Sequence, residues 1–331
     1  MEFPARTDPS DVVPSDADPD LSFLAPPGDL ADWRLVLAYE AAAEAGVFDA
    51  LPGPADAIAE RCQLDVAALR AVLGQLTAWR VLAEDTNGCY HLGERAPVPP
   101  GGAVLLRHAA TIRRWVLLLG PRLRDRTALL DGMPARPAPP SRTEPNLLAI
   151  NARRLTGPMV DVCLRHFPAA RRVLDLGGGH GEHALEFARR GLRVTMQDLP
   201  DMIRIAKERG RLASAGVELF AGDLRTALPA GPFDLVLCAA VTNMFGASVN
   251  RDLYRRLRPV LAPGGGLVVV SYMCGRDEVT ASFGLQMLVW TDGGDAHPVS
   301  DYRRWLTEAG FESIEVHELE RPPQTMVISR R

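Results

Sequence analysis

The segment DLGGGHG, residues 175–181, places four glycines just after a carboxylate and directly follows the apolar pair Val173 and Leu174. Glycines in that number let a backbone turn sharply and come close to a ligand. A dinucleotide fingerprint sets its glycines at the first, third and sixth positions, so that the following helix start can hold a pyrophosphate. Counted from Gly177, the sixth position is Glu182, whose charge repels that group. A cationic or zwitterionic nucleoside fits better. Asp198 ends the next apolar run, 17 residues past Gly181, where a carboxylate can take both ribose hydroxyls. Asp223, in AGDL, is placed to accept from the amino group of an adenine.

These residues need a scaffold that brings them together. From Ala170 onward the runs VLDLGG, RVTMQDLP, VELFAGDL, FDLVLCAA, GLVVVSY and TMVISRR read as strands, with helical stretches between most of them. Alternation of that kind predicts an α/β fold with a parallel, doubly wound sheet over a domain spanning 151–331. The glycine loop and both acids then fall at the C-terminal ends of three successive strands, facing one crevice. The last two strands are joined by a helical excursion over 281–310.

The chain ahead of this sheet reads differently. Residues 1–28, rich in Asp, Pro and Ser, form a flexible tail with too little apolar surface to offset its ordering entropy. Over 29–98 the pattern gives a helix ending near Gly46, a second over PADAIAERCQL and a third over DVAALRAVLGQLTAWRVL, N-capped by Asp65. Asn87-Gly88 then marks a two-residue hairpin turn. Three helices and a hairpin make a winged-helix arrangement. Its candidate recognition helix, 66–80, carries only Arg70 and Arg80 as cations. Phosphate contacts dominate DNA affinity, so self-association as a homodimer is expected and nucleic acid is not. Residues 99–150, with proline-rich stretches at 97–101 and 134–145, form a helical connector.

Composition narrows the chemistry further. A net charge of −4 argues against nucleic acid or an anionic membrane as partner. Lys207 is the single lysine among 37 basic residues, which leaves almost no scope for Schiff-base chemistry. Cys62, Cys89, Cys163, Cys238 and Cys274 are scattered and odd in number, which fits reduced thiols in a cytoplasm and offers no metal site of cysteines. No basic-then-apolar leader and no run of 18 apolar residues occurs, so neither secretion nor a membrane span is expected.

The succession DLGGGHG, QDLP, GDL, FDLVLCAAVTNMF, LAPGGGLVVV and FGLQMLVWTDGGDAH…DYRRWLTEAGF resembles the S-adenosylmethionine-dependent O-methyltransferases of plant phenolic and bacterial polyketide metabolism. The likeness runs from about residue 30 to 331. It implies a Rossmann-like methyltransferase sheet behind a winged-helix dimerisation domain, S-adenosylmethionine as cofactor and a small-molecule acceptor. Asp175, Gly177, Gly179 and Gly181 would border the methionine part. Asp198 with Leu199 would hold the ribose, and Gly222, Asp223 and Leu224 the adenine. The family often has an aromatic residue where Leu224 stands, so stacking on the base is expected to be weaker here. Cys238 is expected beside the cofactor as a small residue allowing close approach.

Methyl transfer displaces a sulfur at a sulfonium methyl, so the protein must orient the acceptor and, where needed, remove its proton. In the family a histidine follows the fourth strand, and VTNMFGA puts Asn243 in its place, with Met244 next. Asparagine can orient an oxygen but cannot serve as base. Either His297, in TDGGDAHPVS, supplies the base, or the acceptor is already nucleophilic and Asn243 only positions it. His108 is a candidate for facing the pocket, and His297 with Asp295 or His108 makes at most a weak metal pair. Met244, Phe245, Phe283, Met287 and Trp290 are the candidates for the acceptor wall. Phe283, Met287 and Trp290 share one helix face at i, i+4, i+7, a pattern equally consistent with core packing. If they line the site, the acceptor is flat and largely apolar. Methylation at nitrogen or carbon, and a homologue that binds the cofactor without methylating, are the alternatives.

Overall fold

The computed structural model describes residues 33–96, 101–130, 147–275, 278–319 and 324–331. The expected tail at 1–28 and most of the proline-rich stretches at 97–101 and 134–145 lie outside them. The chain divides into two compact units after Ala96.

The first unit contains α1 (Trp33–Glu44), β1 (Gly53–Pro54), α2 (Ala55–Cys62), α3 (Val66–Ala78), β2 (Leu82–Glu84) and β3 (Cys89–Leu92). Asp65 caps α3 as its sequence position implies, its side chain accepting from the Ala68 amide at 2.8 Å. Leu69, Leu73 and Leu76 of that helix are buried. The hairpin is wider than the Asn87-Gly88 pair predicts. The backbone amide of Asp85 donates to the Cys89 carbonyl, and its carboxylate accepts from the amides of Asn87 and Cys89 at 2.8 and 2.9 Å. The side chain therefore organises a longer turn, with Gly88 in the left-handed region at φ 76°. Both cations of the candidate recognition surface are ion-paired, Arg70 with Asp56 and Arg80 with Glu94.

The second unit opens with α4 (Gly101–Arg124) and α5 (Leu147–His166) and continues as β4 (Arg172–Leu176), α6 (Glu182–Arg189), β5 (Arg193–Asp198), α7 (Pro200–Arg209), α8 (Arg211–Ser214) and β6 (Glu218–Ala221). Then follow β7 (Phe233–Ala239), α9 (Ala247–Leu257), β8 (Leu261–Ser271), α10 (Glu278–Trp290), α11 (Val299–Glu308), β9 (Glu312–Glu318) and β10 (Thr325–Arg330). The seven strands lie in the order β6-β5-β4-β7-β8-β10-β9. The first five pair in parallel, while β10 runs antiparallel to both neighbours. The sheet is thus mixed, and it contains one strand, β9, that the sequence reading left out.

Strand periodicity explains the two cores. Val173, Leu235, Leu237, Val268 and Val270 point to one face, against Met159, Val160 and Phe187. Their neighbours Leu174, Val236, Cys238, Leu267 and Val269 point to the other, against Leu253, Tyr254, Tyr302 and Trp305. Burial on both faces is why these strands read as nearly continuous apolar runs. Strand order reverses between β4 and β7, which makes the C-terminal ends of those strands the topological switch point where an open α/β sheet leaves a crevice. Among the described residues, no helix is long and apolar enough to cross a membrane.

Candidate active site

The crevice at that switch point is a cavity of about 410 Å³, within the range of about 300–1,000 Å³ usual for small-molecule sites. Gly177 comes to it from β4, Gln197, Asp198 and Leu199 from β5, and Gly222, Asp223, Leu224 and Arg225 from the turn after β6. Ala240 and Val241 come from the end of β7, Met244, Phe245, Gly246 and Val249 from the turn and helix beyond it, and Trp290 to Gly293 from the end of α10.

The glycine loop is shaped by its neighbours. Gly177, Gly179 and Gly181 all have positive φ, at 71°, 57° and 78°. A β-carbon on Gly177 would strike the Val241 side chain at 2.4 Å, whereas one on Gly179 would meet nothing within 4 Å. The loop is therefore packed on its inner side and open where a ligand would lie. Asp198 staples it in place: one carboxylate oxygen accepts from the Gly179 amide at 2.7 Å and the other from the Leu199 amide at 2.7 Å. Burial raises the Asp198 pKa, against the lowering effect of those two bonds. Asp175 lies beneath the loop, 1% exposed, and accepts from the Ala184 amide at 3.0 Å. Burial pushes it up to about 7. His183 is partly buried at the first turn of α6 with its Nε2 sealed and unpartnered, and desolvation pushes it down to about 4.

Asp223 is not the bare acceptor that its place in AGDL implied. Its carboxylate is gripped by the Arg225 guanidinium, through Nε at 3.0 Å to both oxygens and Nη2 at 2.6 Å to Oδ2. Arg225 thereby becomes part of the crevice wall, a residue that the sequence reading missed although it follows the motif directly. Cys238 is also placed otherwise than expected. It is fully buried in the core against α9 and α11, its thiol pushed up to about 12 by burial, and the residues that reach the crevice are Ala240 and Val241.

The turn after β7 is built from buried polar groups. Asn250 donates to the carbonyls of Thr242 at 3.0 Å and Phe245 at 3.1 Å, fixing the chain between them. Asn243 is 3% exposed; its Nδ2 donates to the Met287 sulfur at 3.2 Å, while its Oδ1 has no hydrogen-bond partner. His297, the residue read as a candidate base, is engaged elsewhere. Its Nε2 lies 2.8 Å from the Phe245 carbonyl, to which it must donate, and its ring packs edge-on against Trp305 with centroids 4.9 Å apart. A nitrogen donating to a carbonyl already carries its proton. Its role there is to hold Phe245, and it is not among the residues facing the crevice. Asn250→Ala removes one hydrogen bond from each of the Thr242 and Phe245 carbonyls, which keep the Phe245 amide and His297 respectively, so it should cost about 1–3 kcal/mol of stability, read as a lower urea midpoint.

The acceptor-wall candidates separate. Met244, Phe245 and Trp290 line the crevice. Met287 is buried against Asn243, and Phe283 stacks on Tyr272 with centroids 4.6 Å apart. The other face of α10, with Ala281, Gly284, Leu285 and Leu288, lines a second cavity of about 320 Å³ together with Arg126, Cys274, Thr280, Asp295 and Ala296. Helix α4 clamps α10. Arg114 donates to the Val289 carbonyl and lies 5.2 Å from the Trp290 ring centroid, Arg122 donates to the Leu288 and Thr291 carbonyls, and Trp115 donates to Gln286. The arginine bonds satisfy open carbonyls at the end of α10, and the Trp115 bond ends on the Gln286 side chain. His108 lies on α4, and its side chain is outside the described residues. Among the described residues no cluster of three or more His, Cys, Asp or Glu side chains is arranged to hold a metal.

A glycine loop tied to a strand-end carboxylate, at the switch point of a seven-stranded sheet whose last strand is antiparallel, is the architecture of a methyltransferase domain. Residues 173–265 match the family model described as "Methyltransferase domain". The chain is 28% identical over 329 residues to the 3-hydroxy-5-methyl-1-naphthoate 3-O-methyltransferase of Streptomyces sahachiroi, covering 87% of this chain and 89% of that one. It is 30% identical over 165 residues to the tetracenomycin polyketide synthesis 8-O-methyl transferase TcmO of Streptomyces glaucescens, a match spanning 48% of each chain and thus about half the relative's length. Human N-acetylserotonin methyltransferase in complex with S-adenosylmethionine has the same fold, with a TM-score of 0.64 at 20% identity, covering 96% of this chain and 99% of that one. Residues 173–265 thus form a methyltransferase domain, and the likeness to S-adenosylmethionine-dependent O-methyltransferases extends over most of the chain. Its glycine loop, open at Gly179, and the Asp198 carboxylate in the crevice fit S-adenosylmethionine.

Proposed function

We propose that this protein methylates an oxygen of a flat, largely apolar small molecule, aromatic or polyketide-like, in specialised metabolism, and works as a homodimer through its N-terminal unit. The observation carrying the reading is the crevice itself: a glycine loop and two acids at one side, with Met244, Phe245 and Trp290 in the same wall. S-adenosylmethionine supplies the electrophilic methyl group when bound. Asp198 and the loop amides hold its sugar and orient it, while Asp175 beneath the loop faces its positive end. Trp290, backed by the Arg114 guanidinium, gives an aromatic acceptor a rigid face to lie on.

Asn243 is the positioning group. Its Oδ1 is buried and unpartnered behind Met244, so it takes a hydrogen bond from a neutral hydroxyl of an acceptor that displaces Met244, while the methylated oxygen relies on the acceptor's own acidity. This reading needs no basic side chain at position 243 and leaves His297 in its structural place. Incubation with methyl-labelled S-adenosylmethionine and hydroxynaphthoates such as 3-hydroxy-5-methyl-1-naphthoate tests the reaction. S-adenosylhomocysteine and an O-linked methyl carbon in NMR are the expected products. A methyl bound to carbon or nitrogen would refute O-methylation, and cofactor binding without S-adenosylhomocysteine across the panel would refute transfer. Asn243→Ala should lower kcat by about 10- to 100-fold, the loss of one positioning hydrogen bond in the transition state. His297→Phe should leave the shape of the pH–rate profile unchanged.

A further inference from the structure

The Asp223–Arg225 pair changes what the crevice asks of a purine. A free carboxylate is an acceptor only, and it selects a base that presents an amino group. Here both oxygens of Asp223 accept from Arg225, and Oδ1 also accepts from the Arg225 amide at 2.9 Å. The guanidinium itself stands in the crevice wall beside Gly222 and Leu224, and no hydrogen bond engages its Nη1 among the described residues. A base edge approaching this carboxylate therefore meets the half-exposed Arg225 donor first. A guanidinium matches a purine's 6-oxo and N7 acceptors, whereas an amino group at position 6 offers it only another donor.

Resting on the reading that this crevice holds the nucleoside of S-adenosylmethionine, we propose that Arg225 is a specificity-determining residue that masks Asp223. The site then accepts a 6-oxopurine nearly as well as a 6-aminopurine. Adenine keeps its N1 and N7 acceptors for the guanidinium, so it still binds; what is lost is discrimination by the carboxylate. The backbone supports a fixed pair. The Asp223 carbonyl accepts from the amides of Thr226 and Ala227, and Arg256 donates to the Leu224 carbonyl at 2.9 Å, so the turn carrying both residues is held from outside the crevice.

Calorimetry with S-adenosylhomocysteine and with its deaminated analogue S-inosylhomocysteine tests the assignment without reference to turnover. The wild-type chain should prefer the adenosyl compound by less than about threefold. Arg225→Ala, which unmasks Asp223, should widen that preference to about tenfold or more, the factor expected when one hydrogen bond to a charged acceptor separates the two bases. Arg225→Met, which keeps the stem that covers the wall, should behave in the same way, so misfolding of the alanine variant would not decide the outcome. A wild-type preference above about tenfold would show that adenine displaces Arg225 from the carboxylate and overturns the proposal, as would an unchanged ratio in both variants. If the wild-type chain takes up neither compound, the nucleoside reading of the crevice fails first.

Discussion

Asp198→Ala should weaken S-adenosylhomocysteine binding by about 10²- to 10³-fold, the largest single-residue effect expected in the crevice. Two losses combine. The carboxylate accepts from the Gly179 and Leu199 amides at 2.7 Å each, so without it the loop loses its side-chain tie to the end of β5. It also leaves the ribose hydroxyls without a charged acceptor, and hydrogen bonds to charged groups are worth about 1.5–3 kcal/mol each. Asparagine is not a conservative replacement here. The two amides donate to different carboxylate oxygens, so an amide side chain must turn its NH₂ towards one of them. Asp198→Asn should therefore bind nearly as poorly as the alanine variant. Calorimetry checks this against the far-UV spectrum of each variant; wild-type affinity in folded Asp198→Ala would show that the ribose is held elsewhere.

The glycine loop and Asp198 were legible from sequence as neighbours in one crevice, though not the bond between them, because each is local to a strand end. DLGGGHG and the Asp closing RVTMQD are short motifs whose backbone demands are intrinsic, and a parallel sheet brings successive strand ends to one side. Strand β9 was missed for an equally physical reason. ESIEVHE has no apolar run, because it is an edge strand with most of its side chains in solvent, where charge protects the exposed edge. His297 shows a different limit. Its residue type fits a base, but spacing along a loop does not say which way the ring points, and packing against Trp305 and Tyr302 decides it. The masking of Asp223 by Arg225 is local in sequence yet invisible there, since GDLR reads identically whether the arginine turns inward or out to water. Cys238 was misplaced by one strand register: its neighbours alternate faces, and its own face is the sealed one.

Asp175, buried beneath the loop, and His183, partly buried in α6, make stability depend on pH, and Asp175 should do the same for cofactor uptake. Burial raises Asp175 from its usual 3.8 to about 7, with the Ala184 bond opposing and the Asp198 charge adding. Its folded value lies above its unfolded one, so its contribution is full below about pH 4 and is lost as pH rises through about 7. Burial lowers His183 from 6.5 to about 4, so its contribution is present above pH 6.5 and is lost as pH falls through about 4. Between these limits the slopes oppose, each about 1.4 kcal/mol per pH unit, and their joint contribution should be nearly flat. Asp175→Asn removes one of them, so its stability should fall by about 3 kcal/mol more than wild type from pH 6.5 to 4.

Binding breaks the balance in a way that separates the two cofactor forms. If the sulfonium of S-adenosylmethionine lies over the loop as proposed, it favours the ionised form of Asp175 beneath, and uptake near neutrality should release a proton. Its affinity should rise with pH by up to about tenfold per unit until about pH 7, then level off once the free site is already ionised. S-adenosylhomocysteine carries the same amino-acid and nucleoside groups without the charge on sulfur, so titrations that the two share cancel when they are compared. Its affinity should climb far less over the same range. Calorimetry from pH 5.5 to 8.5, repeated in buffers of different ionisation enthalpy, gives both the slope and the protons released. Asp175→Asn should make the ratio of the two affinities independent of pH. A ratio that keeps its wild-type slope in that variant would assign the coupling to another group.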